Sequence, residues 1–133
     1  MFTILIAEDN KNTARLMEVV LTQNGYKSIH AANGEEAFAL LEQNHVDLIL
    51  LDIMMPKMDG WQVCREIRQY SQVPIIMLTA KSDERDELLG FELGVDEYIS
   101  KPFSPKILVA RVEAILRRSN AVSEEAVEIG GIV

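Results

Sequence analysis

Short apolar runs alternate along this chain with longer stretches of helical spacing. Runs of strand type occupy residues 4–7, 28–31, 48–51, 75–78 and 98–100. Between the first two, Leu16, Val19, Val20 and Gln23 recur at three and four residues and predict a helix that stops at Asn24-Gly25. Asn33-Gly34 opens the next helix, with Ala37, Leu40 and Leu41 on one face. Asp59 is placed to cap a third helix carrying Trp61, Cys64, Ile67 and Arg68, and Ser82 or Asp83 a fourth. Ser104-Pro105 starts a fifth, since proline suits a first turn and serine can accept the orphan amide bonds.

Strands and helices in strict alternation predict an α/β fold, a five-stranded parallel sheet covered on both faces. Residues 48–51 are apolar at every position, as a central strand buried on both sides requires. Right-handed crossovers then divide the helices between the two faces, and ligands bind at the carboxyl ends of the strands. After Arg117-Arg118 the pattern changes. Residues 119–128 are small and acidic like a linker, and 127–133 alternate around Gly130-Gly131 like the beginning of another strand. The expected division is therefore a folded domain at 1–119, with 120–133 as linker and the start of a further domain.

Composition narrows the function classes. The 133 residues suit one domain, and a formal net charge of −8 opposes any grip on nucleic acid by phosphate neutralisation. One cysteine, Cys64, excludes an intramolecular disulfide and any multi-cysteine metal site. Apolar runs such as Leu48-Ile49-Leu50-Leu51 are stopped within a few residues, far short of a membrane span. The chain opens into Phe2-Thr3-Ile4 without a basic leader, so the expectation is an acidic cytoplasmic protein with no membrane association.

Chemistry is concentrated where the strands end. The first ends in Glu8-Asp9, the third in Asp52, the fourth in Thr79 and the fifth in Lys101-Pro102. Singly, each has a bland explanation: an acidic pair caps a helix, a lone Asp or Thr caps a turn, a lysine is a surface charge. Three carboxylates, a hydroxyl and an ammonium converging on one sheet edge are hard to explain as repeated turn chemistry. Two carboxylates ~4 Å apart repel by ~4 kcal/mol at an effective dielectric near 20. Three together must protonate, move apart or recruit a cation, and for a cation, oxygen ligands without His or Cys fit Mg²⁺, or Mn²⁺. Lys101 and Thr79 would then contact phosphoryl oxygens, and Asp52 has the position of a nucleophile that takes up a phosphoryl group as an acyl phosphate.

Glu8-Asp9, Asp52 with Met54-Met55-Pro56 and Asp59-Gly60, Thr79-Ala80 and Lys101-Pro102-Phe103 together resemble the receiver domain of two-component response regulators. The resemblance covers about residues 2–119. It implies the flavodoxin-like, CheY-like doubly wound sheet with strand order 2-1-3-4-5. It makes Asp52 the residue phosphorylated by a sensor histidine kinase. Asp9, Asp52 and the backbone carbonyl of Met54 would hold Mg²⁺ directly, with Glu8 acting mostly through water. Lys101 would pair with the phosphoryl group, joined to Pro102 by a cis bond. Thr79 would swing toward the phosphoryl oxygen as Tyr98 turns inward, moving the face formed by the fourth helix, fifth strand and fifth helix. Many relatives carry Asp where this chain has Glu8, a departure expected to alter metal geometry modestly.

Gly94-Val95-Asp96-Glu97-Tyr98, Lys101-Pro102-Phe103-Ser104-Pro105, Ala110-Arg111 and Leu116-Arg117-Arg118 are similar to the OmpR/PhoB type. That type dimerises through the switch face on phosphorylation and controls transcription through a winged-helix DNA-binding domain after a linker, so DNA contact would come only from a domain outside these residues. Asp96 and Glu97 facing Arg111 and Arg118 would supply ion pairs across the dimer. Leu89 and Ile107 stand where a charged pair is common, so an apolar contact is expected to replace one salt bridge.

Other residues have plainer readings. His30 and His45 are expected to be structural or exposed, Cys64 an inert core thiol, and Trp61 partly packed. Lys81 and Met54 would tune access of water to the acyl phosphate. The alternative function, a Mg²⁺-dependent phosphatase with an Asp nucleophile, needs a second Asp two residues on, and that place is Met54. A flavin or nucleotide carrier needs a Gly- and Ser-rich first loop, where this chain has Ala7-Glu8-Asp9-Asn10. The expectation is a phosphoacceptor signalling domain, not a turnover enzyme.

Overall fold

The computed structural model describes residues 1–53, 60–79, 94–100 and 103–132, the last stretch as backbone only from 119 onward. Five parallel strands form one sheet: β1 (Thr3–Ala7), β2 (Lys27–Ala31), β3 (Leu48–Asp52), β4 (Ile75–Thr79) and β5 (Glu97–Ser100). Their order is β2-β1-β3-β4-β5, the doubly wound order expected from the sequence. Helices α1 (Lys11–Gln23), α2 (Gly34–Gln43), α3 (Gly60–Arg68) and a C-terminal helix (Pro105–Ile132) accompany it. The expected fourth helix, its caps Ser82 and Asp83, and Met54, Asp59, Lys81, Leu89, Lys101 and Pro102 lie outside the described residues.

Strand alternation builds two cores. Leu5, Ile49, Leu51, Ile75, Met77 and Tyr98 face one side, where Ala37 of α2 and Val63, Cys64 and Ile67 of α3 cover them. Ile4, Ile6, Leu48, Leu50, Ile76, Leu78 and Ile99 face the other, beneath α1 and the C-terminal helix with its Leu108, Val112 and Leu116. All five β3 residues are buried, the four of the apolar run as predicted and Asp52 at its end.

Of the expected helix starts, those at Asn33 and Ser104 can be inspected, and Ser104 Oγ accepts from the Ile107 amide at 3.5 Å; α1, whose start the pattern left unassigned, is capped as well. Asn10 accepts from the Thr13 amide at 3.0 Å, and Asn33 accepts from the Glu36 amide at 3.0 Å. At the far end of α1, Asn24 is the cap and Gly25 follows with φ +85°, a conformation glycine adopts without strain.

Two expectations are corrected. The buried face of α1 is Ala14, Met17, Val20 and Leu21, whereas Leu16 and Val19 are 46% and 41% exposed. The helix carries two overlapping apolar stripes about one residue apart, and contact with the sheet selects the one holding Ala14 and Met17. The backbone of 127–132 is helical where alternation predicted a strand. A strand needs a neighbour to take its ladder bonds, whereas a helix satisfies its backbone alone, and the Glu- and Ala-containing stretch before Gly130 is compatible with one.

Candidate functional site

Register brings the acidic side chains together. Ala7 at the end of β1 pairs with Leu51 of β3, so Glu8 and Asp52 each stand one step beyond the same rung. Continuing the alternation of Ile4 and Ile6, and of Leu48 and Leu50, both carboxylates fall on one face of the sheet. Carboxylate oxygens of Glu8, Asp9 and Asp52 all lie within 4.8 Å of one another. Glu8 is fully buried, Asp52 is 4% exposed, and Asp9 is exposed at the mouth. At 4.8 Å two ionised carboxylates repel by about 3.5 kcal/mol for an effective dielectric near 20.

The surroundings partly offset that repulsion. The Asn10 amide donates to Glu8 Oε2 at 3.3 Å, at the N-terminus of α1, where the helix dipole favours negative charge. The backbone of Glu8 is clamped on both sides by β2. Its N–H donates to the Ala31 carbonyl at 3.1 Å, and its carbonyl accepts from His30 Nε2 at 2.7 Å. Sequence reading assigned His30 only a structural or exposed place, and its contact with the acidic loop was missed. The available signal was strand order, since β2 beside β1 sets the residue paired with Ile6 next to Glu8.

Gly60 brings α3 against the same strand end. Its N–H donates to the Ile53 carbonyl at 2.8 Å, and a Cβ there would lie 2.5 Å from Ile53 Cα and 2.7 Å from the Asp52 carbonyl oxygen. Thr79, 4% exposed, ends β4 beside Asp52, because Asp52 pairs with Leu78. The fit to a hard divalent cation is good: only oxygen donors, close enough to share an ion, with one carboxylate open to solvent.

Comparison with known proteins agrees with this geometry. The sequence profile of the response regulator receiver domain matches residues 4–113. The chain belongs to that family. This receiver domain is 51% identical over 120 residues to the Porphyridium aerugineum protein described as "Probable transcriptional regulator ycf27", covering 90% of the chain and 50% of that protein. It is 44% identical over 125 residues to the "Uncharacterized transcriptional regulatory protein YclJ" of Bacillus subtilis (strain 168), covering 94% of the chain and 55% of that protein. The chain thus spans about half the length of the curated relatives it matches. A solved two-component response regulator from Clostridium difficile superposes with a TM-score of 0.87 at 35% identity, over 90% of this chain and 99% of that one. The phosphatase alternative has no support among these relatives.

Of the residues expected on the receiver's dimer face, Asp96, Glu97 and Arg111 have partners within the chain. Asp96 Oδ2 accepts from the Ile75 amide at 2.8 Å and from Arg68 Nη2 at 3.4 Å. Arg68 also donates to the carbonyls of Ser71, Val73 and Gly94, tying the entries of β4 and β5 together. Glu97 Oε2 meets Arg111 Nη1 at 3.1 Å. Ile107 is 50% exposed, and Arg111 and Arg118 are exposed on the C-terminal helix. Tyr98 is buried in the core with Met77 and Val95. His45 lies at the opposite sheet edge, 3.0 Å from Asp47. Burial pushes the Cys64 thiol up, opposed in part by Arg68 and Arg65. Among the described residues, no helix is long and apolar enough to cross a membrane.

Proposed function

We propose that this receiver domain is a phosphorylation-driven switch of the OmpR/PhoB type, with Asp52 as phosphoacceptor. The supporting observation is the meeting of Glu8, Asp9 and Asp52 within 4.8 Å at the carboxyl edge of the sheet. Asp9, Asp52 and the Met54 carbonyl would hold Mg²⁺ directly, with Glu8 acting mostly through water, and Mn²⁺ would serve in its place. A cation held there would supply positive charge to offset the carboxylates and the phosphoryl oxygens. An Asp52 oxygen attacks the phosphorus of a kinase phosphohistidine; the P–N bond breaks and its electron pair returns to the imidazole. Thr79 donates to one phosphoryl oxygen and Lys101 pairs with another. Those contacts favour one of two pre-existing arrangements of the face that includes Tyr98.

The partner upstream is a sensor histidine kinase, in the cytoplasm. Downstream, a homodimer forms through Leu89, Asp96, Glu97, Ile107, Arg111 and Arg118, and DNA is bound by an output domain outside these residues. Residues 1–119 carry the switch and 120–133 lead toward that output domain. Incubation with acetyl phosphate and Mg²⁺, read by intact mass, tests the proposal. The expected result is the gain of one phosphoryl group, abolished by EDTA and by Asp52→Ala. Phosphorylation of Asp52→Ala to the wild-type extent would overturn it.

A further inference from the structure

The loop carrying two of the three carboxylates is short: Glu8, Asp9 and Asn10 alone join β1 to α1. Its ends are fixed by the β1 ladder and by the Asn10 cap, but the peptide joining Glu8 to Asp9 needs an anchor of its own. The orientation of that peptide depends on ψ of Glu8 and φ of Asp9, and it aims the Asp9 side chain. Ladder pairing cannot supply the anchor, because β2 ends at Ala31. Beyond it, the Ala32 amide turns to Glu36 Oε1 at 3.3 Å, and Asn33 caps α2. The side chain of His30 reaches instead, its Nε2 2.7 Å from the Glu8 carbonyl oxygen. A carbonyl only accepts, so this nitrogen carries hydrogen in either charge state of the ring.

We propose that His30 is a positioning residue for the cation site, holding the Glu8–Asp9 peptide so that the Asp9 carboxylate is aimed at the ion shared with Asp52. The inference rests on the receiver reading of the acidic cluster. Without the imidazole, a half-buried carbonyl loses a 2.7 Å bond and the peptide is held less firmly. Asp9 must then be ordered when the cation binds, and the loss appears in affinity. Partners that orient ligands from behind are worth 10- to 100-fold in metal affinity. A partner acting through the peptide, and not on a ligand atom, should give about 5- to 10-fold.

Calorimetric titration of Mg²⁺ into wild type, His30→Leu, His30→Gln and Asp9→Asn tests this without any phosphorylation step, alongside melting temperatures in EDTA. His30→Leu should bind Mg²⁺ about 5- to 10-fold more weakly, while His30→Gln, whose amide can donate to the same carbonyl, should stay within about 2-fold of wild type. A His30→Leu protein that melts earlier in EDTA yet binds Mg²⁺ like wild type shows a merely structural histidine and overturns the proposal. Equal weakening by Leu and Gln also overturns it, because the donated hydrogen would then be irrelevant. Saturable wild-type binding that Asp9→Asn reduces confirms the cluster independently. Failure of wild type to bind Mg²⁺ would sink the cluster reading and, with it, the role of His30.

Discussion

Replacing Gly60 by alanine tests how tightly the strand ending in Asp52 is held. The added methyl carbon would lie 2.5 Å from Ile53 Cα and 3.1 Å from the Asp52 carbonyl carbon, where carbon atoms prefer about 3.5–4.0 Å. Both neighbours are backbone, so no rotamer change relieves the overlap. The start of α3 must move outward by roughly 1 Å, stretching the 2.8 Å bond from the Gly60 amide to the Ile53 carbonyl. Overpacking costs about 1–3 kcal/mol and the weakened bond about 0.5–1.5, while alanine returns up to about 1 kcal/mol in helix propensity. The expected net loss is about 2 kcal/mol, a fall in melting temperature of roughly 6–10 °C for a chain of this size. Because two of the three atoms it would meet belong to the Asp52 carbonyl, Mg²⁺ affinity should fall too. Gly25→Ala is the contrast: φ is +85° with nothing within 4 Å, so about 1 kcal/mol of backbone strain is expected with Mg²⁺ affinity unaltered. Thermal unfolding by circular dichroism in EDTA, with Mg²⁺ titration, reads both. A Gly60→Ala protein with wild-type melting and wild-type Mg²⁺ affinity would refute the reasoning.

Arg68→Ala should lower stability by about 2–3 kcal/mol in chemical denaturation, because the carbonyls of Ser71, Val73 and Gly94 lose a charged donor, yet leave Asp52 phosphorylation intact. Lost phosphorylation in a folded Arg68→Ala protein would show that the clasp reaches the site. The raised Cys64 pKa means that folding holds the thiol proton more tightly, so this contribution is present below the unfolded thiol pKa and is lost as pH rises through the folded one. Comparing wild type with Cys64→Val across about pH 8–10 should therefore show an extra alkaline loss of stability in wild type only; parallel curves would contradict it. With Leu89 and Ile107 where a charged pair is common, sedimentation of the phosphorylated protein should show a dimer that persists as salt rises; steep recovery of monomer with ionic strength would be the contrary result.

Sheet and site were legible in the sequence to different depths. The short apolar runs of β1, β3 and β4 and those at 28–31 and 98–100 located the strands to within a residue at each end, and the acids at 8, 9 and 52 met where parallel topology requires. The buried face of α1 was not legible, because Leu16 and Val19 are as apolar as Met17 and Leu21, and only contact with the sheet distinguishes the stripes. Nor were bonds that depend on register: His30 reaches Glu8 across neighbouring strands, and Arg68 reaches Gly94 and Asp96 across 26 and 28 positions. Asp96 looked available to a partner because nothing in the local pattern shows that the Ile75 amide needs its carboxylate.

The most direct test is the position of the phosphoryl group. Borohydride converts an aspartyl phosphate to homoserine, so the protein is treated with acetyl phosphate with and without Mg²⁺, reduced, digested and read by peptide mass spectrometry. Homoserine at position 52, and only when Mg²⁺ was present, is the expected result. Homoserine at another acidic residue, or at position 52 to the same extent in EDTA, would contradict it.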